Sequence, residues 1–265
     1  MTTFGMDLGT NDVQEPVTIS ALEFDVLWEH LRLENMPLVL KVPSPGKTHA
    51  ERAELERSVW AGLEQRGLGK PISLDPNLED LLHLLNRPQT EVDGRLWLGR
   101  SVRVLAAAKG HAGVLAVLDG ERLTLRAASG EGLPREALSV LPQAPAGPGH
   151  SITLPSADLD AAAAQARTPE ELEAALTARG IRQDDAHTLA EMMRDASNRG
   201  QFGTATRDKW GKRHRSDRVL AFYDTPEGRY VQLRRATPGQ QPWSTVSPVD
   251  NRRLDHHLTE LLTNP

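Results

Sequence analysis

VTISALEFD at residues 17–25 returns as ITLPSADLD at residues 152–160, and this echo decides the fold. Three more segments recur in the same order. LEQRGL from Leu63 returns as LTARGI from Leu176, VLAVLD from Val114 as VLAFYD from Val219, and the stripe Leu78, Leu81, Leu82, Leu85 as Leu189, Met192, Met193, Ala196. Two copies fall short of the roughly three stacked units a solenoid needs, so the pattern predicts two related halves around a shared core. The halves are expected at 17–149 and 150–265 within one compact unit, after a flexible N-terminal lead-in at 1–16. The spacing of the matches gives the first copy about 20 extra residues, within 26–48, more than a short connecting loop holds.

Composition narrows the function classes. With 265 residues, 38% hydrophobic and 25% charged, the chain can bury a sizeable core, and a net charge of −5 gives no general attraction to nucleic acid or anionic membrane. The absence of cysteine excludes disulfides and thiolate zinc sites. MTTFGMDLGTNDVQEP has neither the basic nor the apolar region of a secretory signal. The longest apolar runs, such as 114–118, fall far below the roughly 18 residues of a membrane span. A cytoplasmic location with no membrane insertion is expected.

Local patterns predict the elements. Residues 17–19 read as a strand and 21–31 as a helix with Leu22, Val26, Leu27 and Leu31 at helical spacing. Pro37 and VPSPGKTH suggest a second short strand and a loop. Thr48 with Glu51 forms a capping box for a helix that carries Leu55, Val59 and Leu63 and stops at Gly67; Asp75-Pro76 opens another that ends at Asn86, Arg87 and Pro88. Four strands follow at 96–98, 102–106, 114–118 and 123–125, with Asp119-Gly120 as the best hairpin signal, and short connections imply antiparallel pairing. A short helix at 133–141 leads to PQAPAGPGH, the one convincing linker. The second copy repeats the plan: strand 152–154, helix 156–166, a Thr168–Glu171 capping box, helices to Gly180 and over 185–196, strands near 202–206, 219–223, 230–234 and 243–246, and a last helix from Asp250.

Catalytic signatures are missing from the sequence. There is no G-x-S-x-G, Walker loop, G-x-G-x-x-G or H-E-x-x-H. His187 and Glu191 stand four apart on a predicted helix, the spacing of two metal ligands, but lack a third and read as a solvated face. His256 and His257 are adjacent and point about 100 degrees apart. No reaction, cofactor or metal is expected.

The one concentrated charge is Arg207, Lys209, Lys212, Arg213, Arg215 and Arg218, with Trp210, Gly211 and His214 among them. Basic residues interleaved with an aromatic can grip a phosphate backbone and stack a base, which leaves a nucleic-acid-binding or regulatory module as the alternative. The same stretch reads as an exposed hairpin whose charges discourage edge pairing. A protein contact through Trp210 and the arginines uses residue types enriched in binding hot spots.

Several longer stretches share one resemblance: LEFDVLWEHL, LVLKVPSPGKTHAER, VLAVLDGERLTLR, APAGPGHSITLPSADLDAAAA, GQFGTATRDKWGKRHR, RVLAFYDTPEGRYVQLRR, PWSTVSP and LDHHLTELL. Together they resemble the EspG family, the cytosolic specificity chaperones of actinobacterial type VII (ESX) secretion systems, from about Val17 to the end. The resemblance implies an α/β (α+β) fold: a large, mainly antiparallel sheet with flanking helices, a C-terminal helix and a pseudo-two-fold. It implies binding without catalysis or nucleotide. The partners would be PE-PPE heterodimers, held at the tip of the PPE helical bundle, kept soluble and marked for one ESX machine. Gln201, Phe202 and Arg207 on a strand, Trp210 and Arg213 in the hairpin and Trp243 near the last helix are the partner-binding residues the resemblance suggests. Phe202 and Trp243 fit a core equally well. No homo-oligomer is indicated.

Overall fold

A computed structural model describes residues 15–34, 36–236 and 239–263; all but two residues of the expected lead-in at 1–16 lie outside them. β1 (Val17–Ser20) passes straight into α1 (Ala21–His30) through an unforeseen capping box: the Ser20 hydroxyl accepts the Glu23 amide at 3.1 Å, and the Glu23 carboxylate accepts the Ser20 amide at 2.7 Å. α2 (His49–Gln65) opens on the expected Thr48–Glu51 box. It stops where Gly67 takes φ +71°, a conformation that side chains with a Cβ resist. β2 (Gly69–Lys70) and β3 (Ser73–Leu74) make a small separate ribbon. α3 (Pro76–Asn86) starts with the Asp75 carboxylate accepting the Leu78 amide at 2.8 Å. A meander of β4 (Thr90–Trp97), β5 (Ser101–Lys109), β6 (Ala112–Asp119) and β7 (Arg122–Ser129) leads to α4 (Leu133–Leu138). The β6–β7 turn carries its positive φ, +59°, at Gly120.

One expected strand is absent. Leu38–Leu40 forms a single 3-10 turn and 41–46 run irregularly, because Pro37, Pro43 and Pro45 withhold the amides a ladder needs. Val39 and Leu40 are still buried, so the apolar run meets the core as a turn.

The second half runs β8 (Ile152–Pro155), α5 (Ser156–Gln165), α6 (Pro169–Thr177), α7 (Gln183–Met192), β9 (Arg199–Arg207), β10 (Arg213–Arg215), β11 (Leu220–Thr225), β12 (Gly228–Arg235), β13 (Trp243–Pro248) and α8 (Asn251–Thr263). Its capping box is half formed. Thr168 accepts the Glu171 amide, but the Glu171 carboxylate takes the Arg167 amide at 2.7 Å, one residue before the cap. α7 ends before Ala196, so the apolar stripe outlasts its helix.

Eleven strands form one antiparallel sheet in the order β1-β7-β6-β5-β4-β9-β11-β12-β13-β8, with β10 also on β9. Outward from the β4–β9 seam both sides show one succession, four strands of a meander and then the strand that led into the helices. This order corrects one of the matched segments. VLAVLD lies on β6, whose counterpart is β12, whereas VLAFYD lies largely on β11, the counterpart of β5. Buried strands share a β-branched, apolar composition, so the likeness carried no register. The surplus of the first copy is also divided: 31–48 joins α1 to α2 where 166–168 suffice between α5 and α6, but α2 also has 17 residues against 9 in α6.

Residues directly opposite in a ladder share a face. The row Leu118, Arg103, Arg95, Gln201, Ala221, Gln232, Val246 therefore crosses one face. Its ends lie in two separate cores, where α1 to α3 cover one wing and α5 to α7 the other. The row Val104, Gly94, Phe202, Leu220, Leu233 crosses the opposite face, where α4 and α8 cover the centre. Between the wings, the middle of the first face has no described α-helix over it; only the 3-10 turn Leu38–Leu40 packs at its edge, against β5 and β4.

The 142–150 segment, expected as a linker, is fastened. Arg229 donates its amide to Pro145 O at 2.8 Å and accepts the Gly147 amide, and Tyr230 Oη reaches Pro148 O at 3.2 Å. A Cβ on Gly147 would collide with the Tyr230 ring. The fully buried Arg229 guanidinium pairs with Asp224 and reaches Asn251 Oδ1 and Pro142 O.

Candidate partner-binding face

At the middle of the sheet that no described α-helix covers, the 31–48 connection of the first copy faces the basic hairpin of the second. On one side Leu38, 75% exposed, projects from the 31–48 connection; on the other stands the basic hairpin. A groove of about 380 Å³ runs between them, lined by Leu38, Leu85, Asp93, Arg95, Arg207 and Arg213 among others. Alternation on β4 builds its floor. Val92, Gly94 and Leu96 turn into the α4–α8 core, so Glu91, Asp93, Arg95 and Trp97 turn to the uncovered face.

The hairpin has the expected form. β10 pairs with β9 from Arg213↔Arg207 to Arg215↔Ala205, and β11 resumes at Leu220↔Phe202. Residues 216–219 thus oppose only 203–204, a bulge that turns the arms away from the regular ladder. Within the chain two of the arginines are neutralised on β4. Arg213 Nε donates to Glu91 Oε1 at 2.6 Å, and Arg215 grips Asp93 with both terminal nitrogens. Arg215 reaches across Gly203, where a Cβ would strike its guanidinium. The bond to Asp93 holds the Arg215 pKa above its ordinary value.

Asp208 organises the tip. Its Oδ1 accepts the Trp210 and Lys212 amides at 2.9 Å each and its Oδ2 meets His214 Nε2 at 3.0 Å, so His214 first, then the amides, hold its carboxyl below the usual range. Trp210 is thereby displayed 80% exposed, with the Lys209 ammonium 4.5 Å from its ring centroid. Arg207 Nη1 reaches Gly211 O at 3.1 Å, while its Nε is buried without a partner among the described residues. With Arg213 and Arg215 committed to carboxylates, the hairpin is not a continuous phosphate-binding strip.

The six residues suggested by the sequence do not share one surface. Gln201, Arg207 and Arg213 lie on the uncovered face and Trp210 at its rim. Phe202 has no exposed surface: it sits in the α4–α8 core, 6.0 Å from Phe222 and opposite Gly94, whose missing side chain its ring replaces. Such a residue holds the sheet together. Trp243 is 47% exposed but stands opposite Arg235 on the other face of the sheet. Its neighbour Ser244 is the one that turns toward the α5–α7 wing.

Sequence reasoning missed Arg95, Trp97, Arg103 and Arg199. Trp97 is 44% exposed, and the Arg199 guanidinium lies 5.9 Å from its ring centroid. The signal was the alternation EVDGRLW at 91–97, hidden because the strand was expected only from residue 96. His187 and Glu191 do not converge: His187 Nδ1 bonds Glu173 at 2.9 Å, and Glu191 bonds Arg194. No metal-holding group of three such side chains occurs among the described residues, and no described helix is long and apolar enough to cross a membrane.

A profile of the EspG family matches residues 20–260. The chain belongs to the EspG family. Its fold is similar to that of the Mycobacterium tuberculosis type VII secretion system chaperone EspG5, solved in complex with a PE25-PPE41 dimer. The TM-score is 0.71 at 16% sequence identity, with 94% of this chain and 96% of the EspG5 chain covered. No curated protein sequence matches the chain. The family expectation of one large antiparallel sheet with flanking and C-terminal helices therefore stands.

Proposed function

We propose that this chain is a non-catalytic cytoplasmic chaperone of PE-PPE-type heterodimers, which it holds at the PPE tip, keeps soluble and directs to one type VII (ESX) system. The observation that carries this reading is the centre of the sheet, which no described α-helix covers and which lies as a groove between two helical wings. Family membership supports it, as does the client held by the EspG5 structure. A chaperone of this kind covers an apolar surface that aggregates when free. Gln201, Arg207, Arg213 and Trp210 form the footprint, joined by Trp97; Phe202 and Trp243 fall outside it. The halves are 17–149 and 150–265, acting as one unit because β4 and β9 pair over eight residues.

Co-expression with the PE and PPE proteins encoded nearby is the test. A stable complex on size exclusion, lost when Trp97 and Trp210 are both changed to alanine in a protein that still folds, supports the reading. Failure of every nearby PE-PPE pair to co-purify or gain solubility defeats it. Binding of an oligonucleotide that weakens steeply with salt would favour the nucleic-acid alternative.

A further inference from the structure

The uncovered face carries a conflict of charge that the chain itself does not resolve. Arg95 and Arg103 are direct cross-strand partners on β4 and β5, and like charges so opposed destabilise a sheet. Among the described residues neither meets a carboxylate: Arg103 donates to Lys41 O at 2.8 Å, and no salt bridge there reaches Arg95. Burial, and then the Arg95 charge, push the Arg103 pKa down. One position along, Arg199 leans on Trp97, and Arg207 keeps a buried Nε unpaired at the groove. The two acids on this part of the face, Glu91 and Asp93, are spent on Arg213 and Arg215. A chain of net charge −5 has thus gathered arginines that no described carboxylate pairs at the centre of this face.

We infer that Arg95 and Arg103, with Arg199 and Arg207 around them, are a receptor for carboxylates, so the protein that docks here presents Asp or Glu side chains to this face. The inference deepens the chaperone reading and rests on it for the identity of the partner. A guanidinium fork matches a carboxylate in two parallel bonds, and a partner's carboxylate set between Arg95 and Arg103 removes their repulsion on docking. The stability lost in the free chain returns as affinity, which selects acidic clients and rejects basic ones. Nucleic acid is the poorer occupant, since Arg213 and Arg215 are already committed to Glu91 and Asp93 and leave no continuous strip of cations along which a phosphate backbone could run.

The test compares the full chain with Arg95→Gln, Arg103→Gln and, as a control on the outer face of α2, Arg57→Gln. Titration with the PE-PPE heterodimer encoded nearby should show Kd raised about tenfold by each of the first two changes and unaltered by the third. The free Arg95→Gln protein should melt no lower than the parent, because the change relieves a repulsion; a lower midpoint makes Arg95 a structural residue and overturns the inference. Equal affinity of parent and variants overturns it while leaving the chaperone reading intact. Should the parent capture no heterodimer, the chaperone reading fails, and the chain is titrated with a poly-glutamate peptide and a short single-stranded oligonucleotide. Peptide binding lost in the variants sustains the receptor. Binding of the oligonucleotide alone, or of neither, overturns it, as does self-association of the free chain that the variants abolish.

Discussion

Replacing Arg229 by methionine should be among the most damaging single changes away from the binding face. Its guanidinium, with no exposed surface, donates to Asp224 Oδ1 at 2.6 Å, Asp224 Oδ2 at 3.0 Å, Asn251 Oδ1 at 2.8 Å and Pro142 O at 3.0 Å, and lies 5.3 Å from the Phe222 ring centroid. Methionine fills much of the volume but leaves Asp224 buried with, among the described residues, the Asn198 side-chain amide at 3.1 Å as the one remaining partner of its carboxylate. Breaking a buried pair from one side costs about 3–5 kcal/mol, chiefly because a charge is stranded. At about 2–4 °C per kcal/mol for a chain near this size, the thermal midpoint should fall by roughly 10 °C. Urea unfolding followed by far-UV circular dichroism measures the free-energy loss. Arg229→Met/Asp224→Leu should recover most of it, since no charge is then stranded. A loss under about 1 kcal/mol in the single variant would refute the reasoning. A double variant as unstable as the single would move the cost from the stranded carboxylate to the lost bonds with Pro142 and Asn251.

Gly203→Ala should push Arg215 off Asp93 and loosen β10, seen as faster amide hydrogen exchange at 213–215; unchanged exchange would show that the guanidinium does not need the gap. Phe202→Ala should cost about 3–5 kcal/mol and lower client capture only through unfolding. Trp210→Ala should leave stability within about 0.5 kcal/mol and still weaken capture, and the reverse pattern would exchange their roles. The bond to Glu173 raises the His187 pKa, so the contact contributes stability that is full below the unfolded value of about 6.5 and is lost as pH rises through the folded value. A histidine NMR titration should find that midpoint above about 6.5 and find it lowered by Glu173→Gln; a midpoint indifferent to Glu173 would refute the assignment.

Much of the fold was legible because the signals that mark it act over a few residues. Ser, Thr or Asp before a helix and Gly after it satisfy or release amides and carbonyls within one turn, so Thr48, Asp75 and Gly67 announced their roles. The doubled plan was visible for the same reason: the strand and helix at 17–25 and 152–160 kept their local patterns. The VLAVLD and VLAFYD match failed because any buried strand selects such residues, whatever its place in the sheet. The candidate site was half legible. Charge concentrated in sequence revealed the hairpin, but charge concentrated in space at Arg95, Arg103, Arg199 and Arg207 is scattered along the chain and left no local trace.

By itself the sequence determined the composition of the strand faces, most helix starts, the hairpin and the two-copy plan. Only the tertiary structure decided which faces meet. Arg215 finds Asp93 across 122 residues, and Arg95 opposes Arg103 because one turn between β4 and β5 sets their register. Whether the centre of the sheet is covered depends on where two sets of helices come to rest, one of them carrying the longer 31–48 connection. Those outcomes are sums of burial and pairing over the whole sheet, and no short window of residues contains them.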